Sequence, residues 1–189
     1  MECEQARVLD FWFRELSPAD WFGAADSLDP IVRDRFGELH AQAAAGLLDD
    51  WAGSPLGRLS LIIVLDQFSR HIFRGTANAF ALDERAQKLA LDGIGKAMDE
   101  RLSFAQRQFF YMPLMHAEDP ALQRLSVECF EKLKAFADQV LQFAQSHQKE
   151  VARFGRFPHR NAALGRRSSD DETAFMTGNP PHDDARHIE

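Results

Sequence analysis

Hydrophobic positions recur at helical spacing from the start of the chain. Val8, Leu9, Phe11, Trp12, Phe13 and Leu16 cover one broad face over residues 5–16 and predict a helix. Ser17-Pro18 then supplies a cap and a first-turn proline, followed by a short segment carrying Trp21 and Phe22. Asp29-Pro30 repeats that start signal before Ile31, Val32, Phe36, Leu39, Ala43 and Leu47, predicting a helix that reaches about Trp51. Asp49, Asp50, Gly53 and Pro55 mark the turn after it.

Residues 56–70 contain an apolar run, Leu61 to Leu65, that fits either a buried strand or a helix. The helical spacing of Leu56, Leu59, Ile62 and Ile63 favours a central helix. Further helices are predicted over 78–92, over 102–117, from Asp119-Pro120 to Ser146, and over 149–154. Pro113 is expected to kink or end the helix that contains it. A turn at Gly155 to Pro158, a short helix ending near Gly165 and a capping box from Ser169 to Glu172 complete the pattern. The fold class expected is all-α, antiparallel helical pairs in a single domain over 1–177, with 178–189 a frayed polar tail.

Composition changes this picture little. The chain has 189 residues, few enough for one domain, and 45% hydrophobic residues, enough for a sizeable core. Sixteen Phe against one Tyr point to aromatic filling between helices. Cys3 and Cys129 have no metal-ligand or redox spacing, which suits a reducing compartment. No apolar stretch is long enough to span a bilayer and no basic leader precedes the first helix, so a soluble cytoplasmic protein is expected. A formal charge of -7 argues against a general nucleic-acid footprint, although Arg153, Arg156, Arg160, Arg166 and Arg167 are locally basic.

Three polar clusters carry the candidate chemistry. LDQFSRHIFRG, residues 65–75, brings Asp66, Gln67, Arg70, His71 and Arg74 to the end of an apolar helix, several of them four residues apart. Arginine forks there suit a carboxylate or phosphate, or else satisfy helix carbonyls. RQFFYMPLMHAED, residues 107–119, places His116 beside Glu118, and a carboxylate can orient an imidazole for proton transfer. RFGRFPHRNAALGRRSSDDE, from Arg153, concentrates Arg156, His159, Arg160 and Asn161 around a turn anchored by Phe154 and Phe157. His147 and Glu150 lack the paired ligands of a helical metal site, and no nucleotide, zinc-protease or hydrolase motif occurs. Neither a metal nor a cofactor is expected.

The ordered motifs VLDFWF, LDQFSRHIFRGTANAFALD, RQFFYMPLMHAED and RFGRFPHRNAALGR resemble the DUF924 family of uncharacterised bacterial proteins, over Val8 to Phe175. The family pattern matches at Asp66, Gln67, Arg70, Phe73, Arg74 and Gly75, at His116 and Glu118, and at Gly155, Arg156, Pro158, His159, Arg160 and Asn161. Ser69 and His71 stand where the family more often has proline and asparagine, and the tail after Phe175 is shorter and more polar. The resemblance implies a tetratricopeptide-like array of antiparallel helices and brings no established reaction.

The function expected is binding of an anionic small metabolite by Arg70, Arg74, Arg156 and Arg160, with Asp66, His116, Glu118, His159 and Asn161 orienting it and Gln67 a further ligand-binding candidate. Hydrolysis would use His159 first, or His116 with Glu118, as acid and base. The competing reading is a helical scaffold for a protein or peptide, in which the same clusters brace loops. RNA is a weaker third.

Overall fold

The computed structural model describes residues 4–23 and 25–178, so the predicted frayed tail lies, apart from Gly178, outside the described residues. Among them every regular element is helical. They group into two compact units, residues 1–131 and 132–189.

In the first unit, α1 (Glu4–Asp10) continues as a wide π-helical turn over Phe11–Glu15 and is followed by α2 (Pro18–Gly23) and α3 (Ala25–Ala44). Pro30 therefore lies inside α3, where the sequence placed a helix start. Asp29 is not a cap because His71 and Arg74 take its carboxylate. The helix also stops before the expected Trp51, with Gly46 at φ 83° in the turn, a left-handed conformation suited to glycine.

The apolar stretch is helical: α4 (Pro55–Ile62), a π-helical turn over Ile63–Phe68, then α5 (Ser69–Ile72). Ser54 caps α4 by accepting from the Gly57 N–H. Leu59 and the run Leu61 to Leu65 are wholly buried, which explains why amphipathic periodicity fades there. Around this rod Phe11, Phe36 and Phe68 pack with centroids 5.0 and 4.7 Å apart, and Trp12 meets Phe109 edge-on at 5.3 Å.

α6 (Asp83–Gly95) and α7 (Phe104–Met115) close the other side. Buried Arg58 ties α4 to α6: it donates to the carbonyls of Ala52 and Leu89 and pairs with Asp92 at 2.7 Å. Gly93 allows the close approach, since a Cβ there would sit 2.8 Å from Arg58 Cδ and 2.4 Å from Phe110 Cζ. Ser103 and Gln106 form a capping box on α7, which runs through Pro113 to Met115.

The two helices predicted over 120–146 and 149–154 are one, α8 (Pro120–Phe154). Its residues from Lys132 onward, a 3-10 turn at Pro158–Arg160 and α9 (Asp170–Gly178) make up the second unit. The expected capping box is present: Ser169 Oγ accepts from the Glu172 N–H at 3.1 Å, and a Glu172 carboxylate oxygen accepts from the Ser169 N–H at 2.8 Å.

Candidate functional site

Asp66 sits in the π-helical turn before α5 with no exposed surface. A buried carboxylate must be paired and hydrogen-bonded, and the fold supplies three donors. His116 Nδ1 lies 2.9 Å from Oδ1, Arg70 Nη1 lies 3.0 Å from the same oxygen, and the Gln67 amide donates to Oδ2. Three of the residues singled out in the sequence thus meet on a fourth. His116 comes from the C-terminal cap of α7, fifty positions away. The carboxylate that orients His116 is therefore Asp66, and Glu118, the expected partner, stands exposed on the rim of a cavity.

Arg70 is committed within the protein. It forks onto Asp83 with two bonds of 3.0 Å, donates to the Asp66 carbonyl at 2.8 Å, and lies over the Phe80 ring. Its charge is balanced by two carboxylates before any ligand arrives.

Beside this cluster, within the first unit, is a cavity of about 790 Å³. One face of α6 lines it, through Asp83, Glu84, Gln87, Lys88 and Leu91, opposite His116, Glu118 and Asp119. Four carboxylates face two cations, Arg70 and Lys88, so the wall is acidic. An ionised Asp66 only accepts hydrogen bonds, so Nδ1 carries the proton of a neutral His116, whose side chain lines the cavity.

Arg74 and His71 belong to a different cluster. Both bond Asp29, at 2.5 and 2.8 Å from Arg74 and 2.7 Å from His71. Burial opposes ionisation of Asp29, but the hydrogen bonds and charges of Arg74 and His71 outweigh it and hold the carboxyl below its usual range. Burial dominates for His71 and pushes its pKa down.

The remaining candidates lie in the second unit. Arg156 forks onto Glu172 at 2.6 and 2.9 Å and donates to the Arg167 carbonyl. Buried Asn161 donates to Ser168 at 3.1 Å and to Glu172 at 3.3 Å. The Arg156 hydrogen bond and then the Ser169 N–H hold Glu172 down at about 2. His159 makes a long 3.3 Å contact with buried Glu150, and Arg160 lies over the Phe157 ring at 4.3 Å. Among the described residues no group of three or more His, Cys, Asp or Glu is arranged to hold a metal.

Sequence reasoning missed Asp29 and Asp83, the carboxylates that neutralise Arg74 and Arg70. Asp29 carried only the signature of a helix start. The wall of α6 left a faint signal, Asp83, Glu84, Gln87 and Lys88 at i, i+1, i+4 and i+5, on one helix face.

Among the described residues no helix is long and apolar enough to cross a membrane. No functionally curated protein matches the chain. A solved structure of a protein of unknown function from Agrobacterium tumefaciens is similar: it is 36% identical, with 93% of this chain and 98% of that one covered and a TM-score of 0.66. Residues 8–179 match the family described as bacterial protein of unknown function, DUF924. With that match spanning the aromatic core, the Asp66 cluster and the Glu172 cluster alike, the chain belongs to the DUF924 family.

Proposed function

We propose that the cavity beside Asp66 binds a small polar molecule through a cationic or hydrogen-donating group, and that His116 accepts a proton from that molecule or from a water beside it. The observation that carries this reading is the buried Asp66 holding His116 Nδ1 at 2.9 Å on the wall of a cavity large enough for a metabolite. The carboxylate fixes the tautomer and would stabilise the imidazolium formed on proton uptake.

The acidic wall moves the ligand class away from the anion that the arginines alone suggested. Arg70, Arg74 and Arg156 each spend their charge on Asp83, Asp29 and Glu172. An anion in the cavity would find Arg70 already paired with Asp66 and Asp83 and would meet Lys88, whereas an amine or amidine meets Glu84 and Glu118 directly. In the second unit, the bonds of Arg156 and Asn161 to Glu172 support a bracing role for the RFGRFPHRN motif.

The test is a thermal-shift titration of the full chain with two matched panels, small amines and amidines against phosphates and dicarboxylates. A dose-dependent rise in Tm with the cationic panel, reduced in Glu84→Gln with Glu118→Gln and kept with phosphates absent, is expected. A rise confined to the anionic panel would overturn the ligand class.

A further inference from the structure

Phe80, Leu91 and Leu122 reach the cavity beside Asp66 from three separate stretches of the chain: a 3-10 turn over Ala77–Phe80, the second half of α6 and the first turn of α8. Phe80 is 61% and Leu91 36% exposed. Exposed apolar residues scattered singly need no explanation, but apolar side chains that converge on one cavity beside a few polar groups are how small-molecule sites are lined.

The surroundings say what each part of the wall can receive. The Arg70 guanidinium lies over the Phe80 ring at 5.6 Å and is itself fixed by Asp66 and Asp83. The cation that a phenyl ring attracts is thus already in place, and what the ring still offers is apolar surface. Along α6, Glu84, Lys88 and Leu91 fall at i, i+4 and i+7, on one helix face, with about 10 Å of helix axis between Glu84 and Leu91. Lys88, between them, opposes a second positive charge toward the Leu91 end. One small molecule can therefore set its charge against Glu84 and Glu118 and a neutral, apolar part against Phe80 and Leu91.

We propose, building on the cationic-ligand reading of this cavity, that the charge is carried on an apolar body of about ring size: the ligand is an arylalkylamine or the corresponding amidine, its nitrogen against Glu84 and Glu118 and its ring against Phe80 and Leu91. Burial of a ring strengthens binding at least about tenfold over the bare amine.

Amide NMR titrations of the full chain with ethylamine, phenethylamine, phenethyl alcohol, phenylacetate and diaminobutane test this, read at Glu84, Leu91 and Glu118. Phenethylamine is expected to bind at least about tenfold tighter than each of the other four probes. Phe80→Ala is expected to lower the phenethylamine-to-ethylamine ratio at least about threefold and to leave ethylamine within about twofold, and the amide spectrum of the variant shows that the fold is kept. Amines that bind equally well with and without the ring, or diaminobutane binding as tightly as phenethylamine, overturn this proposal and leave the cationic-ligand reading standing, as does a ratio unchanged by Phe80→Ala. Phenethyl alcohol or phenylacetate binding as tightly as phenethylamine, or the absence of any amide shift with either monoamine, overturns that reading as well.

Discussion

Replacing Asp66 with Asn keeps the shape of the side chain and removes the charge on which His116 and Arg70 converge. Oδ1 can still accept from both, at the 2.9 and 3.0 Å separations of the wild type, and the Gln67 amide can turn its oxygen toward the new amide group. What is lost is the charge assistance of two bonds, about 1 kcal/mol each, from the difference between charged and neutral hydrogen bonds. Arg70 is not stranded, because Asp83 and the Asp66 carbonyl remain on it, so the loss stays below the 3–5 kcal/mol of a broken buried pair. Relief of burying a charge works the other way, and the expected net destabilisation is about 1 kcal/mol. All three tryptophans, Trp12, Trp21 and Trp51, lie in the first unit, so urea unfolding followed by tryptophan fluorescence reads this substitution where it acts. A change smaller than about 0.5 kcal/mol, within the range of ordinary surface substitutions, would refute the view that this carboxylate organises the cluster.

Other expectations come from the same contacts. Gly93→Ala gains about 1 kcal/mol of helix propensity but drives a methyl into the wholly buried Phe110 ring and Arg58, at an overpacking cost of about 1–3 kcal/mol, so a net loss of about 1 kcal/mol is expected in urea unfolding. Arg58→Met leaves the Ala52 and Leu89 carbonyls without their donor, while Asp92 keeps Lys96, and a loss of about 3 kcal/mol is expected by the same fluorescence assay. Glu172, held at about 2 against an ordinary 4.5, stabilises the second unit fully above pH 4.5 and loses that contribution as pH falls toward 2. Hydrogen exchange at the Glu172 and Thr173 amides should show that acid loss in the wild type, and a flattened profile in Glu172→Gln.

The helical class was legible because most helices here bury one face, and Val8, Leu9, Phe11, Trp12 and Leu16 announce such a face directly. Legibility failed where local signals served tertiary ends. Asp29-Pro30 has the chemistry of a helix start, but Asp29 is recruited by His71 and Arg74 and the helix begins earlier. Ser146 and Lys149 carry no break, and the propensity across them lets α8 run on to Phe154. At the candidate site the polar residue types were visible in the motifs, and the pairing was not. His116 sits two positions from Glu118 but finds Asp66 because the C-terminal end of α7 packs beside the π-helical turn. Spacing along one chain cannot encode a contact across fifty residues, and the same limit hid Asp83 from Arg70.

Buried Asp66 sets His116, which lines the cavity, in one tautomer. Long-range proton–nitrogen NMR of the imidazole rings, with His116 assigned by its loss in His116→Gln, reads that state directly. Neutral His116 is expected to carry its proton on Nδ1 in the wild type, and Asp66→Asn is expected to shift the ring toward the Nε2-protonated form. A wild-type His116 protonated on Nε2, or a tautomer unchanged by Asp66→Asn, would contradict it.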